Sequence, residues 1–190
     1  MLSLRKIIKK KSIAEFEKIK NISPNAVINL WFEDDLFCQT NLWFIAHFLC
    51  QFTDEQAIYL IRPDDNMNYV FASMNEQALE KAYQNKQELS QQTLGELSKM
   101  WQYYQAKDLE KMLKIAQNNN EKLGFLEEAA KAHIDRVLNQ RPQKALSKII
   151  KELQTKDFAK VFPVFNRQER IYGFGDMQVK RIFDKLIEQN

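Results

Sequence analysis

The chain has few of the residues that punctuate or cross-link a protein. Of its 190 residues, four are glycine and four are proline. Collagen-like repeats, linker arrays and turn-dense all-β sandwiches need more of both. There are two cysteines, Cys38 and Cys50, and two histidines, His47 and His133. If one helix carries both cysteines, their spacing sets them roughly 18 Å apart, beyond the ~7 Å that a disulfide tolerates. Two free thiols among apolar neighbours suit a reducing cytoplasm. Neither has a Cys or His partner at metal-ligand spacing. Neither histidine has an acid and a nucleophile nearby in sequence, so no catalytic triad is readable. His47, among Trp43, Phe44 and Phe48, reads as a core histidine. No Gly-Lys-Ser/Thr loop occurs. Gly173-Phe-Gly175 lacks the third glycine of a dinucleotide-binding turn and reads as a tight turn. The longest apolar run, Leu42–Cys50, is broken by His47 and is too short for a bilayer, which needs about 20 residues. No membrane association is expected. The basic start, Met1–Lys11, lacks the apolar stretch of a secretory signal.

What is present is apolar and helix-favouring. Hydrophobic residues make up 45% and aromatics 12%, with 13 Phe, enough to bury a core and exclude disorder. The net charge of +3 says little about partners. Its distribution says more. Residues 1–24 carry seven basic and two acidic side chains, and residues 141–190 carry eleven and six, so the middle is acidic. Basic ends on an acidic body fit nucleic acid or an acidic partner, and fit solvated helix faces better.

The pattern predicts an α/β, helix-rich fold. A small parallel sheet (βαβ around 26–61) is covered by helices and followed by an all-α C-terminal module. Ser12-Ile-Ala-Glu15 has the form of a capping box opening a helix over 12–20. Residues 26–32 form a nearly unbroken apolar run, as in a strand buried on both faces. An acidic turn and an apolar helix over about 36–52 follow. Residues 57–61 read as a second buried strand. Such a βαβ unit crosses over right-handed. Tyr69-Val-Phe71 has the composition of a short edge strand. Ser73-Met-Asn-Glu76 and Thr93-Leu-Gly-Glu96 are further capping boxes. Helical stripes then run through Leu94, Leu97, Trp101 and Tyr104; Leu109, Met112, Leu113 and Ala116; and Leu126, Ala130, Ile134 and Val137. Asn118–Asn120 marks a loop. A helix starts at Arg141-Pro142 with Leu146, Ile149, Ile150 and Leu153 on its apolar face. Asp157 and Asp176 are placed to cap two more. The boundary is expected near 118–122 or 139–142, and the division adopted is 1–120 for the α/β domain with its helical extension and 121–190 for the helical module.

Glu33-Asp34-Asp35 is the best candidate for chemistry. At the C-terminal end of a parallel strand these carboxylates sit where open α/β sheets bind ligands. Clustered carboxylates hold Mg²⁺ or Mn²⁺, which bridge to phosphates. Gln39 and Asn41, early in the next helix, are placed to orient such a ligand. The alternative is that Asp34 or Asp35 only caps that helix. In the C-terminal module, Arg167, Arg170, Lys180, Arg181 and Lys185 give three helices with a basic last one, the arrangement of some nucleic-acid readers. Asp184 and Glu188 on that helix oppose phosphate binding.

The stretch Leu30-Trp-Phe-Glu-Asp-Asp-Leu-Phe-Cys-Gln-Thr-Asn-Leu-Trp-Phe44 resembles the hallmark of the bacterial domain-of-unknown-function family numbered 1835, Bacteroidetes-type. Ile171-Tyr-Gly-Phe-Gly-Asp-Met-Gln-Val-Lys180 looks like the end of that family's C-terminal companion domain. Ala132-His-Ile-Asp135 and Arg141-Pro142 also fit, so the resemblance spans most of 12–188. It implies a soluble bacterial protein and no particular activity. The family pattern opens earlier, on a strand ending in a Gly-Asp turn, and this sequence has no counterpart to it. Lacking that strand would leave a sheet edge open and remove part of any cleft built on Glu33–Asp35. Two functions of different class are therefore expected. One is an α/β protein holding a small metal–phosphate ligand at the strand end. The other is a non-catalytic regulatory or interaction protein that binds nucleic acid or a protein partner through its basic C-terminal helices.

Overall fold

Two short apolar segments build the sheet. Val27–Trp31 forms β1 and Ala57–Ile61 forms β2, both rich in the β-branched and aromatic residues that favour strands. They pair in parallel, from Val27 opposite Ala57 to Trp31 opposite Ile61. Helix α2, Leu36–Leu49, connects them, so the βαβ unit is present. The structure, a computed structural model, describes residues 4–52, 56–63, 70–119 and 123–188.

Around this unit lie α1 (Leu4–Lys20), a 3₁₀ turn at Phe71–Ser73, α3 (Glu76–Gln84), β3 (Gln87–Glu88), α4 (Gln91–Ala106) and α5 (Leu109–Asn118). Then come α6 (Phe125–Leu138), α7 (Arg141–Leu153), α8 (Phe158–Gln168), a 3₁₀ turn at Arg170–Tyr172 and α9 (Asp176–Glu188). The sheet order is β1-β2-β3, with β3 antiparallel to β2.

Several elements differ from the sequence reading. The edge strand is β3, not Tyr69–Phe71. Phe71 begins the 3₁₀ turn, and Tyr69 lies outside the described residues. β1 is not buried on both faces; Val27 and Trp31 are exposed because β1 is itself an outer strand. Helix α1 runs through Ser12, so Ser12 is not its cap; lysine and leucine before it are good helix formers. The caps of α3 and α4 are Asn75, which accepts from the Ala78 amide, and Ser90, which accepts from the Thr93 amide. Sequence misplaces both, because Ser, Thr and Asn within three residues of one another are equally good N-caps. Asp157 caps α8 as expected, and Asp176 is already the first helical residue of α9. Val137 and Leu153 end their stripes in solvent.

The core explains why α2 sits centrally. Leu36, Leu42, Trp43, Ala46 and Leu49 are buried at three- and four-residue spacing. They meet Leu94, Leu97 and Met100 of α4, Met112 and Ala116 of α5, and Leu126, Ala129 and Ala130 of α6. Each fully buried leucine contributes about 2 kcal/mol. His47 is half-buried, not a core residue, and its Nδ1 lies 2.9 Å from Ser98 Oγ. A second cluster, Leu146, Ile149, Val161, Phe165, Val179 and Phe183, unites α7, α8 and α9. The two clusters divide between α6 and α7, near the second of the two expected boundaries. Phe174 touches both clusters and Tyr172 belongs to the first, so the turn before α9 ties the helical module to the α/β part. Among the described residues, no helix is long and apolar enough to cross a membrane.

His133 is buried with its Nδ1 2.9 Å from an Arg136 nitrogen. Burial first, and the Arg136 charge second, push its pKa down to about 4. A depressed histidine binds its proton only on unfolding, so stability is lost as pH falls from about 6.5 toward 4. Urea midpoints measured at pH 7 and pH 5 should fall for the wild type. The fall should shrink in His133→Gln; an equal fall in both would show that the loss lies elsewhere.

Candidate functional site

Three consecutive acids leave β1, and the fold gives each a different role. Glu33 is half-buried. Its carboxylate accepts from the Phe71 amide at 2.7 Å, and its main-chain carbonyl accepts from Gln39 Nε2 at 2.8 Å. Asp34 is buried and its two oxygens meet Arg62 side by side, Nε at 2.6 Å and Nη2 at 2.5 Å. Arg62 in turn lies over the Phe125 ring, 4.2 Å from its centre. Asp35 is the N-cap of α2. Its backbone is extended (φ −67°, ψ 158°) and its carboxylate accepts from the Cys38 amide at 3.0 Å. Capping satisfies one of the orphan N–H groups of the first turn.

The capping geometry also brings Cys38, one helical turn on, back over Asp35. Ligand atoms of Glu33, Asp35 and Cys38 lie within 4.8 Å of one another. They line one side of a pocket of about 310 Å³, whose other wall is Asn166 of α8, Arg170 and the Gly173–Gly175 turn. Gly173 has φ +59°, and a Cβ there would stand 1.9 Å from Asp35 Oδ1. Only glycine allows both this backbone conformation and this approach.

Electrostatics follow from burial. Desolvation raises the Glu33 pKa, the Phe71 amide opposes the rise, and the charges of Asp35 and Asp34 reinforce it; Arg170 pulls it down. Asp35 is also raised, by burial first, against the hydrogen bonds from Cys38. The Cys38 thiol is pushed up to about 12, by burial and then by the Asp35 carboxylate. Cys38 is therefore protonated at neutral pH and is no activated nucleophile. Two carboxylates and a thiol held this close compete for protons, which a cation would displace.

The remaining candidates separate. Asp34 leaves the ligand set, since both oxygens are engaged by Arg62. Gln39 is buried behind the acidic turn rather than lining the pocket, and its Oε1 has no hydrogen-bond partner. Asn41 is exposed, its Nδ2 donates to the Phe37 carbonyl, and it lines a different, shallow depression with Thr40, Phe44, Trp101 and Tyr104. Of the five basic residues, Arg170 belongs to the pocket. Arg167, Arg181 and Lys185 are exposed. Lys180 pairs with Asp184 and lies near the Phe158 and Phe183 rings. Helical spacing places Glu188 on the same face of α9 as Arg181 and Lys185, so the five do not form one purely basic face.

Sequence reasoning misses Cys38, Asn166 and the role of the glycine turn. Cys38 carries a signal: it is three residues after an N-cap aspartate, the spacing at which a helix folds back over its cap. Asn166 and Gly173 carry none, because they arrive from distant elements. A scan of protein-family models finds no match to this chain, and no curated protein and no solved structure matches it either.

Proposed function

We propose that this is a ligand-binding α/β protein whose strand-end pocket holds a divalent cation on Glu33 and Asp35 and, through it, a small phosphate-bearing ligand facing Arg170. The observation that carries this is the convergence of Glu33, Asp35 and Cys38 within 4.8 Å, opposite an arginine, in a pocket sized for a small molecule. Carboxylate oxygens suit Mg²⁺ or Mn²⁺; recruiting the Cys38 sulfur would select a softer ion such as Zn²⁺. The cation would neutralise the paired carboxylates and supply charge for an anionic oxygen. Arg170 and the main chain of the glycine turn would orient the rest of the ligand. The kinship with the family numbered 1835, and a place in the bacterial cytoplasm, belong to the same proposal; the two free thiols support the compartment. Acids interleaved with the basic residues of α9 make the nucleic-acid reading the weaker one.

Thermal melting with Mg²⁺, Mn²⁺ and Zn²⁺, each with and without inorganic phosphate or a nucleotide, tests this. A ligand at about 100 times its Kd adds about 2.7 kcal/mol, or roughly 5–10 °C here. Glu33→Gln keeps an acceptor for the Phe71 amide and should abolish the shift. A flat panel from well-folded protein would reject the proposal.

The same variant has a pH signature. Glu33 and Asp35 have raised folded pKa values. Their contribution to stability is therefore complete below about pH 4 and is lost as pH rises through the folded values. Without cation, Glu33→Gln should melt higher than wild type at pH 7, by roughly 1–2 °C. The advantage should vanish near pH 4. An advantage that persists in acid would point to packing, not charge.

A further inference from the structure

The outer edge of β1 is unusual for what it lacks. Sheet order leaves β1 with a neighbour on one side alone among the described residues. The Phe32 amide donates to the Ile61 carbonyl, 3.1 Å away. In a parallel ladder, alternate residues turn both N–H and C=O to the same side. Ile28, Leu30 and Phe32 thus face β2, and Val27, Asn29 and Trp31 turn their N–H and C=O groups outward. Natural edge strands are guarded by charge, proline or a bulge. Val-Ile-Asn-Leu-Trp carries neither charge nor proline, and its pairing with β2 runs without a bulge. Val27, Asn29 and Trp31 also share one face of the sheet. Val27 is 55% exposed and Trp31 42% exposed. Between them, Asn29 Oδ1 is buried with no hydrogen-bond partner.

We propose that two copies of this chain join through this edge, antiparallel, about a two-fold axis at Asn29, to make one continuous six-stranded sheet. The register is self-complementary. It sets Val27 opposite Trp31 of the second copy, small against large, and Asn29 opposite Asn29. The three outward residues of each copy then exchange N–H···O bonds with those of the other. Directly opposed side chains stand about 5 Å apart at Cβ, so the two Asn29 side chains would lie beside one another at the axis. Charge favours the same occupant. Nothing charged lies on the strand, and the first charged residue beyond it, Glu33, falls opposite Asn25, so no like charges oppose one another. A two-fold interface must tolerate its own charges in this way, whereas an arbitrary peptide partner need not. The exposed Trp31 side chain, with Phe71 and Tyr83 packed about it, extends the contact beyond the backbone.

Sedimentation velocity of the full chain, over roughly 1–300 µM, reads the outcome. A short edge contact of this kind falls at the small end of specific interfaces, so a micromolar dimer is expected, roughly half-formed near the middle of that range. Val27→Lys changes an exposed side chain and places a cation at each end of the joint. It should shift the species to the 22.6 kDa monomer with an unchanged melting midpoint at low concentration. In the wild type, amide exchange at Val27, Asn29 and Trp31 should slow as concentration rises. A wild type that stays monomeric throughout overturns the proposal. So does a dimer that Val27→Lys leaves intact, or one that forms without protecting these three amides.

Discussion

Replacing Gly173 by alanine should cost about 2 kcal/mol and lower the melting midpoint by roughly 4–8 °C. Two independent penalties meet at this residue. A non-glycine residue at φ +59° pays roughly 1 kcal/mol in the left-handed region. The new methyl would also stand 1.9 Å from Asp35 Oδ1 and 2.4 Å from its carboxyl carbon. That carboxylate cannot step aside freely, because it caps α2 through the Cys38 amide. Either the cap breaks, for about 1 kcal/mol, or the turn lifts away. Lifting it pulls on Tyr172 and Phe174, which pack into the first core and across both cores. Gly95 is the control, since it lies inside α4 and a Cβ there would meet nothing within 4 Å. Gly95→Ala should be neutral or stabilising by up to ~1 kcal/mol. Urea unfolding of Gly173→Ala, Asp35→Ala and the double variant would show whether the clash is the cause. Removing the carboxylate should recover part of the loss, so the double variant should be less destabilised than the sum of the singles. Additive losses would locate the damage in the backbone conformation alone.

The sheet and the central helix are legible in the sequence because their signals are local. Residues 57–61 are a compact β-rich run, and α2 repeats apolar residues at three and four. The same locality hides the edge. An unbroken apolar run reads alike for a central strand and for one paired on a single side among the described residues, so β1 reads as buried on both faces. Gln87–Glu88 is too short for any periodicity to show, and only its pairing with Tyr59 and Leu60 makes it a strand. The acidic triplet is visible as a triplet. Its division into pocket wall, ion pair and cap depends on Phe71, Arg62 and Gly173, which lie 38, 28 and 138 residues from their partners. Arg170 stands out for its charge, yet for the same reason sequence groups it with the basic C-terminal residues and does not show that it lines the pocket. Helical wheels place a residue on its own element and say nothing of what that element faces.

That division makes Asp34 the sharpest test of structure against chemistry. Asp34→Ala should destabilise the chain by about 3 kcal/mol. The Asp34 side chain is 9% exposed and that of Arg62 26%. Deleting the carboxylate removes both of the Asp34 contacts of a guanidinium that is mostly withdrawn from water and stacked on Phe125. Removing one member of a buried pair costs more than the pair contributes, because the remaining charge stays withdrawn from water with one counter-ion fewer. Arg62's partial exposure lets water return some of that loss, which places the value at the low end of the usual range. Asp34→Asn keeps the shape and one acceptor, and should lose less. The cation response separates the two roles. If Asp34 is an ion-pair partner, Asp34→Ala melts lower but keeps its full shift with the active cation. Glu33→Gln should do the reverse, holding or gaining stability while losing the shift. A wild-type melting point with no cation shift in Asp34→Ala would instead make Asp34 a ligand, and would mean that Arg62 yields to the metal.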